Sequence, residues 1–305
     1  MSIFPTKISL ATDGSQDAEL AATTAVGLAK STGSELNVVT IAEEYPHHEA
    51  YWPLAERSRQ RTQEVLAEQV RKIENLGSEI GQHHLRTGTV AEEVVRSAEE
   101  MGAGLLVVGS RGRGRIRRAL MGSVSDSVVR HAHCPVLVVR WKPIVLPAKI
   151  LLATDGWEEA RWAAATAADL TRRTGAELHL VHVGKNLTHW SHSSVDVSPF
   201  PGVHQDELDR WAKGLLEAEV ERLKSSGAEV AGSHLRRGRA DEEVAVLAEE
   251  EGADLIVMGS RGLGGIRRAL VGSVSDSVVR HAHCPVMVVR VEKKPTVEQE
   301  ADLLT

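Results

Sequence analysis

The sequence predicts an α/β fold made of two tandem domains, each a doubly wound, Rossmann-like parallel sheet of five strands. The first observation is an internal repeat, because residues 104–140 and 254–290 are identical at 30 of 37 aligned positions. The second is that short β-branched runs alternate with longer segments of helical periodicity in each copy. This alternation is typical of βαβ units that close a parallel sheet.

The repeat sets the domain boundary. The offset between the copies grows from 142 to 150 residues along the chain, so the second copy carries eight additional residues. The join contains Pro143 and Pro147, which favour an extended connector. We therefore predict two domains, residues 1–143 and 144–305.

The elements follow in the order strand, helix, strand. First-copy strands are predicted near 7–12, 35–42, 80–86, 104–109 and 135–140, with helices near 15–32, 55–76, 89–101 and 122–132. Second-copy strands are predicted near 149–154, 177–183, 230–236, 254–259 and 285–290. Right-handed crossovers then place the ligand crevice beyond the carboxyl ends of the strands, where the strand order reverses.

Composition excludes several protein classes. The chain has 305 residues, 42% of them apolar, which is enough for a large core. Its pI near 6.2 argues against a surface built for nucleic acid, where a pI above about 9 is usual. We found no 18-residue apolar run and no secretory signal, so we expect a cytoplasmic protein with no membrane partner.

The two cysteines stand in equivalent copies of "RHAHCPV", so we expect no disulfide between them. The neighbouring side chains of His131, His133 and Cys134 invite a metal-site interpretation. Their spacing matches no standard zinc pattern, and adjacent residues at a turn point in different directions. We expect buried structural cysteines and assign no metal ligands.

The stretch "GSRGRGRIRRALMGSVS" begins at Gly109, at the end of a predicted strand, and leads into a helix. Ser123 is a candidate N-cap with Asp126 as a capping-box partner. A helix N-terminus offers unpaired N–H groups and partial positive charge to a phosphate. Glycines let the backbone approach a ligand, and the hydroxyls of Ser123 and Ser125 can add donors.

The glycines follow the pattern G-x2-G-x9-G-S in both copies, at Gly109, Gly112, Gly122 and Ser123, and at Gly259, Gly262, Gly272 and Ser273. The Walker A and dinucleotide-binding patterns do not occur here. Together with "ATDGS" after the first strand and "RHAHCPVLVV" before the last, this pattern resembles the universal stress protein family. The resemblance is to its tandem two-domain form and ATP-binding branch.

The resemblance implies ATP as the ligand, with Mg²⁺ as the accompanying cation. The glycines and serines above would hold the phosphates, with Ser125 and Ser275 beside them. The residues Asp13 and Asp155 would lie by the ribose and phosphates. The adenine pocket would be formed by Ala11, Ile41, Ala153 and Val183, although apolar strand ends also have a purely structural explanation.

Two features leave alternatives open. Asp13 lies at the predicted crevice, where it can reach a sugar hydroxyl or a metal-bound phosphate, but it can equally cap the first helix. The second copy has Trp157 in place of Ser15, so the two sites are expected to differ in affinity.

The loop arginines from Arg111 to Arg118 can bind a polyphosphate or be solvated. No aromatic residues interleave with them to form a stacking platform for nucleic acid.

The leading hypothesis is an ATP-binding stress-response regulator with no catalytic residues and at most slow ATP hydrolysis. An ATP-pyrophosphatase or adenylating enzyme is the enzymatic alternative, but it needs a glycine- and serine-rich loop after the first strand. Nucleic-acid binding through the arginine loops is the third, and it predicts steep salt dependence. The resemblance also implies that the last strands of the two domains pair, and that the chain forms a homodimer.

Overall fold

The fold is described from a computed structural model, over residues 4–46, 48–112, 121–184, 204–261 and 271–290. The first half contains β1 (Lys7–Ala11), α1 (Gln16–Thr32), β2 (Glu35–Glu43), α2 (Trp52–Asn75), β3 (Ile80–Gly88), α3 (Val90–Glu100), β4 (Leu105–Gly109), α4 (Ser123–His131) and β5 (Val136–Val139). The second half contains β6 (Lys149–Ala153), α5 (Glu158–Thr174), β7 (Glu177–Gly184), α6 (Gln205–Ser225), β8 (Gly232–Arg237), α7 (Ala240–Glu250), β9 (Leu255–Gly259), α8 (Ser273–His281) and β10 (Val286–Val289).

The ten strands of the described part of the chain lie in one continuous sheet, in the order β3-β2-β1-β4-β5-β10-β9-β6-β7-β8. Neighbouring strands within each half are parallel. The predicted contact between the last strands is confirmed, because β5 and β10 pair antiparallel with Leu137 opposite Met287. The strand order reverses between β1 and β4, and again between β6 and β9, so the sheet has two crevices of the predicted kind.

Among the described residues, four helices cover each face of the sheet. One core contains residues of α1, α2, α5 and α6, and includes the fully buried Leu10 and Leu152. The other contains residues of α3, α4, α7 and α8, together with strand residues such as Leu106 and Ile256. Burial on both faces explains why the central strands are almost wholly apolar. Among the residues described, no helix has both the length and the apolar character needed to cross a membrane.

Two arginines, Arg140 buried and Arg290 half-buried, link the halves. Arg140, which follows β5, donates to the carbonyl oxygens of Val279 at 3.2 Å and of Arg280, at the end of α8. Arg290, which follows β10, donates in the same way to Arg130 at 3.0 Å and Ala132 at 2.8 Å, at the end of α4. Each half therefore satisfies the unpaired C-terminal carbonyls of a helix in the other half.

The connector between the halves packs on the first helix. The backbone N–H of Ile144 donates to Thr24 Oγ1 at 2.9 Å. A Cβ atom added to Gly27 would lie only 2.0 Å from the carbonyl oxygen of Val145. Gly27 is therefore required because the connector backbone passes directly over α1.

Candidate functional site

The first crevice brings the aspartate after β1 together with the glycine loop after β4. One carboxylate oxygen of Asp13, Oδ1, accepts the backbone N–H of Ser15 at 2.9 Å. The other, Oδ2, lies so close to Gly112 that a Cβ atom there would stand 2.7 Å from it. Two residues predicted to serve one ligand, 99 positions apart in the sequence, thus meet at the switch point of the sheet.

Asp13 does not cap helix α1, because that role belongs to the residue two positions later. Ser15 is extended, with φ −73° and ψ 166°, and its hydroxyl accepts the backbone N–H of Ala18 at 3.3 Å. The same hydroxyl donates to the carbonyl oxygen of Arg111 at 3.2 Å. Ser15 therefore fixes both the helix start and the glycine loop, and Asp13 faces the crevice.

The N-terminus of α4 lies on the other side of the site, and its N-cap is one residue earlier than predicted. Gly122, with φ −76° and ψ 151°, is the N-cap, and Ser123 is the first helical residue. The predicted capping box is wrong, because Asp126 instead pairs with Arg130 at 3.0 Å. Since glycine has no side chain, the first-turn N–H groups receive no side-chain cap, which suits a helix end that binds an anion.

The serines of "GSVS" have different environments. Ser123 and its counterpart Ser273 are exposed at the helix start, where a phosphate oxygen can reach them. Ser125 is buried and donates to the carbonyl oxygen of Gly109 at 2.6 Å, and Ser275 donates to Ser260 at 2.9 Å. The phosphate-donor role predicted for Ser125 and Ser275 is not supported by this geometry, because the third helical residue turns towards the sheet.

The glycines also serve separate purposes. A Cβ atom on Gly109 would stand 2.7 Å from the backbone of Asp17, and one on Gly259 would stand 3.0 Å from the backbone of Ala160. These two glycines permit the first helix of each half to pack on the end of β4 or β9. Gly112 and Gly122 lie along the crevice, as Gly272 does in the second half. Gly262 and the arginines at 113, 115, 117 and 118 lie outside the described residues.

Sequence reasoning missed the acidic residue that anchors the loop. Asp17, in the first turn of α1, accepts Ser110 Oγ at 2.6 Å and Arg111 Nε at 3.2 Å. In the second half Glu159 accepts Ser260 Oγ at 2.7 Å. The signal was available, because both copies place an acidic residue four positions after the strand-end aspartate.

The predicted base-pocket residues lie at the rim of each crevice. Ala11 and Ile41, and their counterparts Ala153 and Val183, are half-buried and pack on the face of the sheet that α3, α4, α7 and α8 cover. Their exposure at the ends of neighbouring strands leaves an apolar edge beside the polar loop. That combination of an apolar wall and few polar groups is usual for small-molecule sites.

The second crevice differs in its walls. Trp157 is the N-cap of α5 without a side-chain hydrogen bond, and its indole is 53% exposed. Asp155 Oδ1 accepts the backbone N–H of Trp157 at 3.1 Å, as Asp13 does for Ser15. The tie that Ser15 makes to the glycine loop is lost, because an indole cannot replace the hydroxyl in both of its hydrogen bonds. His182 and Trp211 add an edge-to-face ring pair, with centroids 6.0 Å apart.

The "RHAHCPV" turns bury Cys284 fully and Cys134 in part. Burial raises the pKa of both Cys134 and Cys284 to about 12. His131 Nδ1 lies 2.7 Å from the carbonyl oxygen of Ser127, and His133 Nε2 lies 2.9 Å from Glu99 Oε1. His131 thus has its partner within its own helix α4 and His133 has one on α3, as structural residues do.

Comparisons with known proteins agree with this architecture. A universal stress protein of Mycobacterium tuberculosis is 34% identical over 226 residues, covering 69% of this chain and 72% of its own. One from Mycolicibacterium smegmatis is 33% identical over 216 residues, covering 68% of each chain. The crystal structure of a universal stress protein from Archaeoglobus fulgidus matches with a TM-score of 0.71 and 25% identity, over 95% of this chain and 98% of that one.

A further solved universal stress protein, in complex with cAMP, covers 45% of this chain and 97% of its own, with 25% identity and a TM-score of 0.38. The model of the universal stress protein family matches this sequence twice, at residues 5–140 and 148–290. Both matches contain a complete set of the strands and helices described above. The chain belongs to the universal stress protein family, with two copies of the domain in tandem.

Proposed function

We propose that this protein binds ATP in the crevice of its first half and acts as a nucleotide-dependent stress-response regulator. The observation that carries the proposal is the approach of the Asp13 carboxylate to Gly112, beside the uncapped N-terminus of α4. The N–H groups of α4 and the exposed hydroxyl of Ser123 supply donors for phosphate oxygens. The half-buried Ala11 and Ile41 supply an apolar surface for a base.

The position of Asp13 also supports a divalent cation. A carboxylate next to a polyphosphate is repelled by it unless a cation lies between them. Carboxylate and phosphate oxygens are the ligands that Mg²⁺ prefers, usually with several waters. The residues present therefore fit Mg²⁺-ATP, with Asp13 as the protein ligand, directly or through water.

The two crevices are proposed to differ in affinity, with the first the stronger. Its glycine loop is tied to α1 by Ser15, so less of it must be ordered when a ligand binds. Trp157 removes that tie in the second crevice and leaves a bulky indole at the helix start. We assign catalysis to no residue, and we expect at most slow hydrolysis of bound ATP.

The test is calorimetric titration of the full chain with Mg²⁺-ATP. Gly122→Val and the matched Gly272→Val place a side chain at the start of α4 or α8, where the extended backbone accepts any residue. Gly122→Val should abolish the tighter binding event, and Gly272→Val should leave it in place. Asp13→Asn should weaken binding in Mg²⁺ more than in EDTA.

Circular dichroism of each variant confirms that it is folded. Binding that is unchanged in the Gly122→Val, Gly272→Val double variant would overturn the assignment. Rapid multiple turnover with release of pyrophosphate would favour the enzymatic alternative instead.

A further inference from the structure

Two histidines and a glutamate meet at the edge of the sheet opposite to the crevices. His179 lies near the start of β7, His234 lies near the start of the edge strand β8, and Glu251 directly follows α7. The crevice lies at the carboxyl ends of these strands, so this cluster is a separate feature. We call these three residues the edge cluster.

The three side chains of the edge cluster lie close enough together to share a metal ion. His179 Nδ1 and His234 Nε2 lie 3.1 Å apart. Glu251 Oε2 lies 3.5 Å from His179 Nδ1, and Glu251 Oε1 lies 3.8 Å from His234 Nε2. Around a tetrahedral Zn²⁺ with bonds of about 2.0–2.1 Å, neighbouring ligand atoms stand about 3.3 Å apart. The two Glu251 distances end on different carboxylate oxygens, and single donor atoms of the three residues lie within 4.8 Å of one another. Rotation of the Glu251 carboxylate would therefore bring one oxygen and the two nitrogens to one face of such a tetrahedron.

A glycine leaves space beside both nitrogens. A Cβ atom added to Gly232 would stand 2.6 Å from His179 Nδ1 and 3.1 Å from His234 Nε2. Any other residue at this position would fill the space that the two donor atoms face. The side chains of His234 and Glu251 are 24% and 27% exposed, so an ion and a water ligand can reach this space from solvent.

The groups around the edge cluster are those expected next to a ligating histidine. The other ring nitrogen of His179, Nε2, is buried without a hydrogen-bond partner and faces Glu177 Oε2 at 3.6 Å. Ligating histidines usually direct their second N–H at a carboxylate or carbonyl. Lys149 Nζ lies 3.6 Å from both Glu177 and Glu251, which balances part of the negative charge.

The first half of the same chain lacks this cluster at equivalent positions. Asn37 of β2 pairs with Ser9 of β1, and in the second half His179 of β7 pairs with Leu151 of β6 at the equivalent position. Asn37 is therefore the counterpart of His179. The offset of 150 residues makes Gln82 the counterpart of Gly232, and Met101 the counterpart of Glu251. His84 corresponds to His234, but its Nε2 contacts Gln82 Oε1 at 3.2 Å. Three positions that meet in space have changed together, and the second half alone has gained donor atoms and space for an ion.

We propose that the edge cluster binds Zn²⁺ through His179 Nδ1, His234 Nε2 and a Glu251 carboxylate oxygen, with water as the fourth ligand. Two imidazoles and one carboxylate suit Zn²⁺ and exclude the hard cations Mg²⁺ and Ca²⁺, which take oxygen ligands. The site does not depend on nucleotide binding, because it lies at the other end of the strands.

The test uses the full-length, tag-free chain after removal of metal with a chelator. Titration with Zn²⁺ alone, in competition with a chromophoric chelator, should show one tight equivalent per chain. Replacement of Zn²⁺ by Co²⁺ should give the visible absorption of a tetrahedral site, and Zn²⁺ should raise the thermal unfolding midpoint.

The variants come from the first half, which shows what the fold accepts at these positions. His179→Asn and Glu251→Met should each lose the tight equivalent and the Zn²⁺-dependent rise in midpoint while keeping the wild-type circular dichroism. His84→Ala is the matched control and should keep both. The proposal is overturned if the wild-type chain binds no Zn²⁺ tightly, or if the His179→Asn variant retains the tight equivalent. In the first outcome the edge cluster is a hydrogen-bonded histidine pair, and in the second the metal lies elsewhere.

Discussion

At the scale of single residues, one exchange explains most of the difference between the two crevices. Ser15 and Trp157 have nearly the same backbone conformation, with φ and ψ of −73° and 166°, and of −81° and 173°. Only the serine caps its helix and holds the glycine loop. A residue that both starts a helix and fastens a binding loop links local stability to ligand affinity.

Trp157→Ser should therefore stabilise the protein. The backbone already has the extended conformation of an N-cap, and a serine there should gain about 1 kcal/mol of unfolding free energy. Urea denaturation measures the gain. Trp162→Ser removes another exposed indole inside α5, where no cap can form, and should give no increase. An equal gain in both variants would attribute the effect to the lost indole rather than to the cap.

Cys284 predicts a pH dependence of stability. Burial raises its thiol pKa from 9.0 to about 12, so the folded state favours the protonated thiol. This contribution is complete below pH 9.0 and is lost as the pH rises from 9.0 towards 12, since the unfolded chain then releases the proton more readily. Urea denaturation at pH 8 and about pH 10.5 should show a smaller loss of stability in Cys284→Ala than in the wild type. Identical losses would contradict the buried thiol.

At the scale of elements, periodicity and the internal repeat predicted the strands and the first-half helices closely. Helix α2 was predicted from residue 55 and begins at Trp52, and β8 was predicted from residue 230 and begins at Gly232. The start of α4 was displaced by one residue because Ser123 is a strong N-cap type. In the structure Gly122 is the N-cap, and its backbone N–H donates to the carbonyl oxygen of Ser110 at 2.8 Å.

The candidate crevice was predictable once the strands and their parallel order were predicted from the sequence. The carboxyl ends of parallel strands share one edge, so Asp13 and the glycine loop had to approach each other. The edge cluster was not predictable from spacing, because His179, His234 and Glu251 meet only through strand register and a helix end. Comparing the copies at positions such as Asn37 and His179 would have given the signal.

Arg140 shows how the elements of one half complete those of the other. Its guanidinium is buried and donates to carbonyls at the end of α8. Arg140→Ala should lower the unfolding free energy by about 2 kcal/mol, because hydrogen bonds to a charged group are lost and buried carbonyls remain unpaired. Lys213→Ala, which removes an exposed pair with Glu217, should change it by less than about 0.5 kcal/mol. Urea denaturation distinguishes them, and equal effects would contradict the capping role.

At the scale of the whole molecule, the pairing of β5 with β10 turns two domains into one sheet. Two ion pairs cross the same junction. Asp126 pairs with Arg280, and Asp276 pairs with Arg130 at 2.7 Å. Strands that would otherwise be exposed edges are covered within the chain, which removes a site for uncontrolled association. The homodimer expected from the sequence stays a prediction, and it has to use surfaces other than β5 and β10.

A continuous sheet predicts that the two halves unfold together. Leu10 and Leu152 are equivalent residues of β1 and β6, and both are fully buried. Leu10→Ala and Leu152→Ala should each destabilise the chain by about 2–5 kcal/mol, as cavities in a rigid core do. If the halves form one cooperative unit, each variant lowers the midpoint of a single unfolding transition. The transitions measured by fluorescence and by far-ultraviolet circular dichroism then coincide. Independent halves would instead give two transitions, of which Leu10→Ala would move only the one belonging to the first half. The shared strand pair and the exchanged arginines favour the single transition, since unfolding either half would expose β5 or β10 and leave helix-end carbonyls in the other half without partners.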